Sequence, residues 1–387
     1  MSYSINMIKE ITNEQNMIIA LSRVTCTVKN KEEIIQLMKQ KLNWFKILEY
    51  AIRHKVAPLM YKNLRDIELL KEIPYEIGRL LNTYYYATKE RNIYLGEETK
   101  KFIKLCEESN VKCSILKGAY LIPCVYKDMG IRTTHDIDCL VSKSDKKIVT
   151  KIMNSMGYYQ GEFSDDRKTF TPIDRKIEIL WNMRMHNFYP YMKKVDSPFV
   201  DLAVFDISFA LDFKLKTDLV TDMLNNLVYN PECNMYMLNK IHFFIHLCNH
   251  LYKEATTTMY ILENNDLNLI KFCDVREYIL QKMDEDSLNE AIVFAKKNEI
   301  EKCLYFCLYF LKVIYNDGYE DGLIEKIGDL DKKVLNEFGE DEYNNPQIYV
   351  KTFWERFFSF DNSDEIKEKS NFIRNRAEIN KENNSVM

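Results

Sequence analysis

Glycine and proline are scarce in this chain, with 10 and 8 of them among 387 residues. Tight turns and left-handed backbone depend on these residues, so their scarcity argues against a fold built from many short hairpins and favours a largely helical protein. Hydrophobic residues make up 46% of the chain. That share is enough for two or three domains with cores of their own.

Long apolar runs are missing as well. No stretch approaches the roughly 20 apolar residues that a membrane-spanning helix needs, and residues 1–4 lack the basic start and apolar core of a secretory signal. The ten cysteines are scattered without a Cys-x-x-Cys pair, a distribution typical of reduced thiols. The sequence therefore predicts a cytoplasmic protein with no membrane partner.

Neither sign of charge dominates, because the formal net charge is only −4. So small a charge gives no overall attraction to nucleic acid or to an anionic membrane. A local basic patch would not show in this total, so composition alone leaves binding to nucleic acid open.

Apolar periodicity divides the chain into four regions. Residues 1–100 show helical spacing, whereas residues 101–200 mix short apolar runs with acidic residues and form the predicted core. Residues 201–362 return to helical spacing, beginning with a helix predicted over 201–228. Residues 363–387 are charged and lose the apolar repeat, so we expect a partly disordered tail.

The central region is predicted to alternate between strands and helices. Strands are predicted at 111–116, 136–141, 158–163, 168–171 and 176–181, with helices at 119–126 and 145–156. This order predicts an α+β fold, in which a small mixed β-sheet core is flanked by N-terminal and C-terminal helical regions.

A glycine turn and a pair of aspartates stand out in this core. Gly118 follows an apolar strand, and Asp136 and Asp138 begin eighteen residues later. A glycine lets a phosphate approach the backbone amides closely. Two carboxylates separated by one residue point to the same side of a strand and repel each other unless a cation lies between them. The pattern predicts a site for a metal-bound triphosphate, although such acid pairs also occur on solvated strand faces.

A third acid strengthens this interpretation. Glu178 lies on the strand predicted over 176–181, with Ile177 and Ile179 turned the other way. Three carboxylates from two adjacent strands could bind two divalent cations of the magnesium type, which prefer oxygen ligands.

Several segments together resemble the nucleotidyltransferase superfamily that includes DNA polymerase β-like enzymes and aminoglycoside nucleotidyltransferases. Within it, the chain is most similar to a bacterial family described as uncharacterised nucleotidyltransferases. The likeness covers roughly residues 30–285. The segments that carry it are Trp44–Leu59, Leu116–Ala119, Arg132 with Asp136–Val141, Ile177–Trp181, a helix bearing His246 and His250, and Phe272–Asp274.

The resemblance implies an enzyme that moves a nucleoside monophosphate from a nucleoside triphosphate to an acceptor and releases pyrophosphate. It also implies two Mg²⁺ or Mn²⁺ ions, with ATP as the expected donor. Asp136 and Asp138 would hold both metals. Glu178 would bind the metal on the acceptor side and help to take up the acceptor proton.

The same resemblance assigns nucleotide binding to the turn. Gly118 would present backbone amides to the phosphates, and Lys117 and Arg132 would neutralise them. Members of the superfamily usually carry serine or a second glycine after the motif glycine. Ala119 supplies no hydroxyl there, so phosphate binding would depend on backbone and basic groups.

Histidines recur every four residues at His242, His246 and His250, which places them along one helical face. Such spacing can bind zinc, but the apolar residues between them favour a packed helix. A role for His246 or His250 in lining the substrate site stays open. His135, next to Asp136, is expected to point away from the site.

The acceptor is not specified by any motif. A small molecule, peptide or protein is favoured over tRNA, because binding of tRNA would call for a basic groove. A toxin-like transferase that adds nucleotides to tRNA and a non-catalytic nucleotide-binding module are the alternatives. The sequence leaves the preferred nucleotide and the oligomeric state open.

Overall fold

The computed structural model describes residues 11–211, 217–339 and 345–366. Two compact units divide these residues: one contains the described residues up to 86 and from 247 onward, and the other contains residues 87–246. Of the tail predicted over 363–387, the structure describes residues 363–366, where Ser363–Glu365 form a short 3-10 helix, and residues 367–387 lie outside the described residues. Among the described helices, none is long and apolar enough to cross a membrane.

Helices account for most of the regular structure. They are α1 Asn13–Ala20, α2 Val28–Met38, α3 Trp44–Arg53, α4 Ala57–Asp66, α5 Tyr75–Glu108, α6 Lys117–Leu121, α7 Lys146–Ser155, α8 Arg175–Arg184, α9 Thr217–Asn225, α10 Lys240–Thr256, α11 Thr258–Leu262, α12 Leu269–Lys282, α13 Glu285–Lys297, α14 Glu301–Ile314, α15 Glu320–Ile327 and α16 Phe353–Phe357.

The strands are short. They are β1 Cys113–Ile115, β2 Ile137–Val141, β3 Tyr159–Phe163, β4 Phe170–Pro172, β5 Tyr191–Ser197, β6 Val200–Ser208, β7 Val228–Asn230, β8 Met235–Met237, β9 Glu337–Phe338 and β10 Gln347–Ile348.

Helix α3 illustrates how local sequence determines a helix in the helical unit. The Asn43 side chain caps the helix by accepting a hydrogen bond from the Lys46 amide at 3.1 Å. Ile47, Leu48 and Ala51 recur at helical spacing and are buried. The helical periodicity predicted for this part of the chain is thereby confirmed.

A six-stranded mixed sheet forms the centre of the other unit, with strand order β1-β2-β6-β5-β3-β4. β2 and β6 run parallel, whereas β1 and β5 pair antiparallel to β2 and β6 respectively. The predicted α+β class, with a small mixed sheet and flanking helices, is confirmed.

Helix α7 ends as its sequence predicts. Gly157 adopts a left-handed φ of 81°, and its amide bonds the Asn154 carbonyl while the Tyr158 amide reaches the Met153 carbonyl. This pair of bonds is the glycine-dependent helix end known as a Schellman motif. It turns the chain from α7 directly into β3.

The strand predicted over 176–181 is wrong, because these residues belong to helix α8. Asp174 caps that helix by accepting a hydrogen bond from the Lys176 amide at 2.7 Å. The alternation that indicated a strand does not correspond to one buried face: Ile177 is fully buried, but Ile179 is 50% exposed. The Asp174 cap favours a helix over a strand in this segment.

The helix predicted over 201–228 is also wrong in its first part. Residues 200–208 form β6, and among the described residues of this range the helix spans 217–225. Burial along β6 alternates, since Ala203, Phe205 and Ile207 are buried while the residues between them are partly exposed. One face of this strand therefore packs in the core, and the opposite face is available for a site.

Candidate active site

The glycine turn lies at the end of the edge strand. The Leu116 amide bonds the Asp138 carbonyl at 2.9 Å, which extends the pairing of β1 with β2 up to the turn. Lys117 then adopts a left-handed φ of 44°, and α6 begins. A left-handed conformation is uncommon for a residue with a side chain. The turn thus brings the backbone of Lys117 next to β2.

Gly118 is required by close packing. A Cβ atom at this position would lie 2.5 Å from Arg132 Nη1 and 2.6 Å from Thr134 Oγ1. Both distances are shorter than a carbon atom can approach, so only glycine allows the Arg132 guanidinium to lie against the turn. The structure therefore brings together two of the residues that we predicted to bind phosphate.

Arg132 is held in place by a side chain that sequence reasoning missed. Asn92, on α5, donates from Nδ2 to the Met129 carbonyl at 2.7 Å and to the Arg132 carbonyl at 2.8 Å. Asn92 and Arg132 are both buried, with exposures of 2% and 7%. Two carbonyl acceptors identify this amide atom as nitrogen. No motif marks Asn92, since its role depends on a loop 37 residues further along the chain.

Lys117 and Asp138 form an ion pair, with 2.6 Å between Lys117 Nζ and Asp138 Oδ1. The Asp138 side chain is 8% exposed and that of Lys117 is 23% exposed. The lysine predicted to bind phosphate thus contacts a carboxylate predicted to bind metal. The Asp138 carboxylate on β2 therefore attracts a positive charge.

Asp136 comes directly before β2 and is half-buried, whereas the neighbouring His135 is exposed. The Thr134 hydroxyl contacts the Asp136 carbonyl at 3.4 Å. Asp136 precedes Asp138 by two residues and stands just outside the strand, which begins at Ile137.

A further carboxylate, Asp206, lies on the strand beside Asp138. The two residues are in register between the parallel strands β2 and β6, so their side chains share one face about 4.8 Å apart along the sheet. Asn187 Nδ2 donates to Asp206 Oδ1 at 2.7 Å, and Trp181 Nε1 donates to Asn187 Oδ1 at 3.2 Å. These two bonds orient the Asp206 carboxylate.

Asp206 was missed because its strand was predicted as a helix. The segment contains Val200, Val204, Phe205 and Ile207 within nine residues, and β-branched and aromatic residues at that density favour a strand. That composition was the signal that could have identified it.

Glu178 lies on α8 and contacts α7. Its Oε1 is 2.5 Å from Lys146 Nζ, and both side chains are 28% exposed. Burial raises the pKa of Tyr191 to about 12, and the nearby Glu178 carboxylate adds to the increase. The Tyr191 hydroxyl is 2.8 Å from the Thr150 hydroxyl of α7. Glu178 thus belongs to a group that includes Lys146, Thr150 and Tyr191.

The predicted substrate-lining histidines have different surroundings. His246 is 6% exposed, and its ring centroid lies 6.2 Å from that of Phe243. In the helical unit, His250 Nε2 lies 3.4 Å from Glu254 Oε1, and Glu254 also pairs with Lys271. Burial lowers the pKa of His242.

Metal binding can be tested against the donor set. Within the described ranges, no three histidine, cysteine, aspartate or glutamate side chains converge into a ready-made metal cage. Magnesium does not require one, because it commonly binds through one or two carboxylates together with substrate phosphates. Asp138 and Asp206 offer hard oxygen ligands on one face of the sheet, and Asp136 offers another directly before the same strand as Asp138. The residues present therefore fit a magnesium-type ion.

The mixed sheet, the glycine turn and the aspartates beside it are features expected of a nucleotidyltransferase. The chain belongs to the uncharacterised nucleotidyltransferase family, whose sequence profile matches residues 40–316. The family resemblance found from the motifs is thereby confirmed. None of the curated proteins compared with the chain matches it.

Proposed function

We propose that this protein is a metal-dependent nucleotidyltransferase that moves a nucleoside monophosphate, from ATP as the expected donor, to an acceptor and releases pyrophosphate. One observation supports it most directly. Asp138 and Asp206 are in register on neighbouring parallel strands, and Asp136 lies two residues before Asp138. Nucleotidyl transfer needs carboxylates grouped in this way to hold divalent cations at a triphosphate.

Asp136, Asp138 and Asp206 are the proposed ligands of two Mg²⁺ or Mn²⁺ ions. When bound, these ions would polarise the α-phosphate and lower the pKa of the acceptor hydroxyl. The ammonium of Lys117 contacts Asp138 at 2.6 Å, which supports the proposal that a cation is favoured there. We assign to Asp206 the role of third carboxylate that the sequence suggested for Glu178.

Donor phosphates are proposed to bind at the turn. Arg132 lies against Gly118, and Lys117 could move from Asp138 to a phosphate oxygen once metal neutralises that carboxylate. Backbone amides at Gly118 and Ala119 would complete the site, because Ala119 has no hydroxyl.

In the proposed reaction, an acceptor oxygen forms a bond to the α-phosphorus while the bond from that phosphorus to the pyrophosphate oxygen breaks. A carboxylate of the site takes up the acceptor proton, and Asp206 is placed for this by its hydrogen bond from Asn187. Lys117 and Arg132 would stabilise the charge on the departing pyrophosphate.

The proposal is tested with pure protein, magnesium, a cell lysate and each of the four α-³²P-labelled nucleoside triphosphates. We expect metal-dependent transfer of label to a small molecule, peptide or protein. The Asp136→Asn variant should fold normally and transfer no label above background. Label in RNA would instead favour the tRNA-modifying alternative.

A non-catalytic module is a separate outcome. Calorimetry with magnesium and a non-hydrolysable triphosphate would then show binding, although no label is transferred to any acceptor. Absence of both binding and transfer would contradict the proposed function altogether.

A further inference from the structure

Two cysteine side chains from distant parts of the chain meet within the unit that contains the sheet. Cys124 lies in the π-helical turn Ile122–Tyr126, which directly follows α6, and Cys233 lies in the turn between β7 and β8. The two Sγ atoms are 3.0 Å apart, with the Cys124 thiol donating to Cys233. Because the sulfur atoms of a disulfide are about 2.05 Å apart, these two atoms need to approach by only about 1 Å to form one.

Access to solvent distinguishes this pair from other thiols that contact each other. Cys124 is buried, but Cys233 is partly exposed and lines a cavity of about 540 Å³. Two further pairs of thiols in contact consist entirely of buried residues: Cys106 with Cys113, and Cys248 with Cys307. Oxidation of a cysteine requires an accessible thiol. A small oxidant can therefore reach the pair that contains Cys233 more readily than the two buried pairs.

A bond between these thiols would join two elements of the unit. After β8, at the open end of the β7–β8 hairpin, the Leu238 amide donates to Ser114 Oγ of β1 at 2.9 Å. Cys233 lies at the opposite end, in the turn. Two-stranded hairpins are only marginally stable by themselves. A covalent bond from Cys233 to Cys124 would hold the turn end against the segment that continues α6, the helix that contains Gly118.

We propose that Cys124 and Cys233 form a reversible disulfide when the protein meets a peroxide, and that this bond fixes the β7–β8 turn to the segment after α6. The sulfur of Cys233 attacks one oxygen of hydrogen peroxide, whose O–O bond breaks, and this gives a sulfenic acid and one water. The sulfur of Cys124 then attacks the sulfur of Cys233. The S–O bond breaks, and its hydroxyl leaves with the Cys124 proton as a second water.

The electrons balance in this sequence. The two thiols lose two electrons and two protons, and one hydrogen peroxide is reduced to two water molecules. A dithiol reductant reverses the change by thiol–disulfide exchange. Disulfide formation between these thiols does not require nucleotidyl transfer, so it is tested separately from the proposed function.

Tryptic peptides identify the bond, because each thiol lies on a peptide without a second cysteine. Cleavage after lysine gives peptide 118–127 with Cys124 and peptide 217–240 with Cys233. The full chain is reduced, treated with dilute hydrogen peroxide, alkylated and digested. We expect mass spectrometry to find the two peptides joined in most molecules, and dithiothreitol to separate them. Separate peptides under conditions that oxidise Cys26, which is also partly exposed, would overturn the proposal.

Single variants test the order of the two steps. In Cys124→Ala, no sulfur is left to attack the sulfenic acid of Cys233, so dimedone should label Cys233 at least tenfold more than in the wild type. Cys233→Ser should give neither the joined peptides nor labelling of the buried Cys124. Cys26→Ser is the matched control and should form the joined peptides as the wild type does.

Circular dichroism would verify that these variants are folded. Equal dimedone labelling of Cys233 in the wild type and Cys124→Ala would overturn the proposed pair. Peptides that join Cys233 to a different cysteine would overturn it as well.

Hydrogen exchange tests the structural consequence. Residues 228–237 of the oxidised wild type should exchange their amide hydrogens at least tenfold more slowly than those of the reduced protein, because the disulfide restricts opening of the hairpin. Cys124→Ala treated with the same peroxide controls for oxidation of Met235 and Met237, and its exchange should not slow. Equal exchange in oxidised and reduced wild type would overturn the fixing of this turn.

Discussion

Two groups of charges, one in each unit, differ in how far their side chains are exposed to solvent. In the helical unit, Arg276 and Glu277 are 1% and 0% exposed. The Glu277 carboxylate accepts hydrogen bonds from the Val24 amide, the Thr25 amide and the Thr25 hydroxyl at 2.7–3.1 Å. Arg276 binds Asp317 through two nitrogens. Every charge in this group is closely surrounded by partners.

The group beside the sheet is arranged differently. Lys117 contacts Asp138 through one nitrogen and one oxygen, and 23% of the lysine side chain remains exposed. Asp136, two residues before Asp138, lines a cavity. A partly exposed ammonium such as that of Lys117 can be replaced by a metal ion at low cost, whereas the Arg276 network cannot lose a member without leaving a buried charge uncompensated. The comparison separates charges that hold the fold from charges that we propose to act on substrate.

The largest effect is expected from Asp138→Asn. The amide keeps the size of the side chain but removes the charge that binds metal, so transfer should fall at least 1,000-fold, or about 4 kcal/mol of transition-state stabilisation. Stability should change by no more than about 1 kcal/mol, because Lys117 is partly exposed and can be hydrated. Transfer assays and urea unfolding measure the two quantities. A loss of stability comparable to the loss of activity would remove the distinction between the two groups.

For Glu277→Gln we expect the opposite pattern, in which stability falls and transfer changes little. The amide replaces one acceptor oxygen with an N–H donor among the donor groups of Val24 and Thr25, and it removes one of the two charge partners of Arg276. We expect the free energy of unfolding to fall by about 3 kcal/mol. Transfer per folded molecule should stay within about twofold of the wild type. Urea unfolding and an active-site-normalised assay test this, and unchanged stability would contradict it.

Asp206→Asn tests the proposed third carboxylate. Its partner Asn187 can still hydrogen-bond an amide, so the fold should be kept. The loss of one metal-binding charge should lower transfer roughly 100-fold, about 2.7 kcal/mol, and raise the magnesium concentration needed for half-maximal rate. Titration of the rate with Mg²⁺ is the measurement. Wild-type rate and magnesium dependence would exclude Asp206 from the site.

Much of the sheet could be predicted because its signals are local. The apolar run before Gly118, the acids before Cys139 and the glycine after α7 each determine the backbone near them, and the structure has β1, β2 and the end of α7 where they were expected. Asp136 and Asp138 could be predicted as site residues from their own segment, without information on other parts of the chain.

The other parts of the site depend on contacts between distant segments. Asp206 reaches Asp138 through a parallel pairing across 68 residues of chain, and Asn92 acts through a loop 37 residues away. Glu178 was placed on a strand from alternation and from the family resemblance, whereas the segment forms helix α8 behind the Asp174 cap. The secondary-structure propensity of a ten-residue window does not tell which distant segment will contact it.

The smallest effect is expected from Glu178→Gln, and it sets the two candidate third acids against each other. The Glu178–Lys146 pair is 28% exposed on both sides, and pairs this accessible contribute at most about 1 kcal/mol. Glutamine keeps a carbonyl oxygen for Lys146, so we expect transfer and magnesium dependence within about twofold of the wild type. If Glu178 instead binds the acceptor-side metal, its variant will lose activity as Asp206→Asn does, and rising Mg²⁺ will partly restore the rate. Parallel magnesium titrations of the two variants therefore decide which acid completes the site.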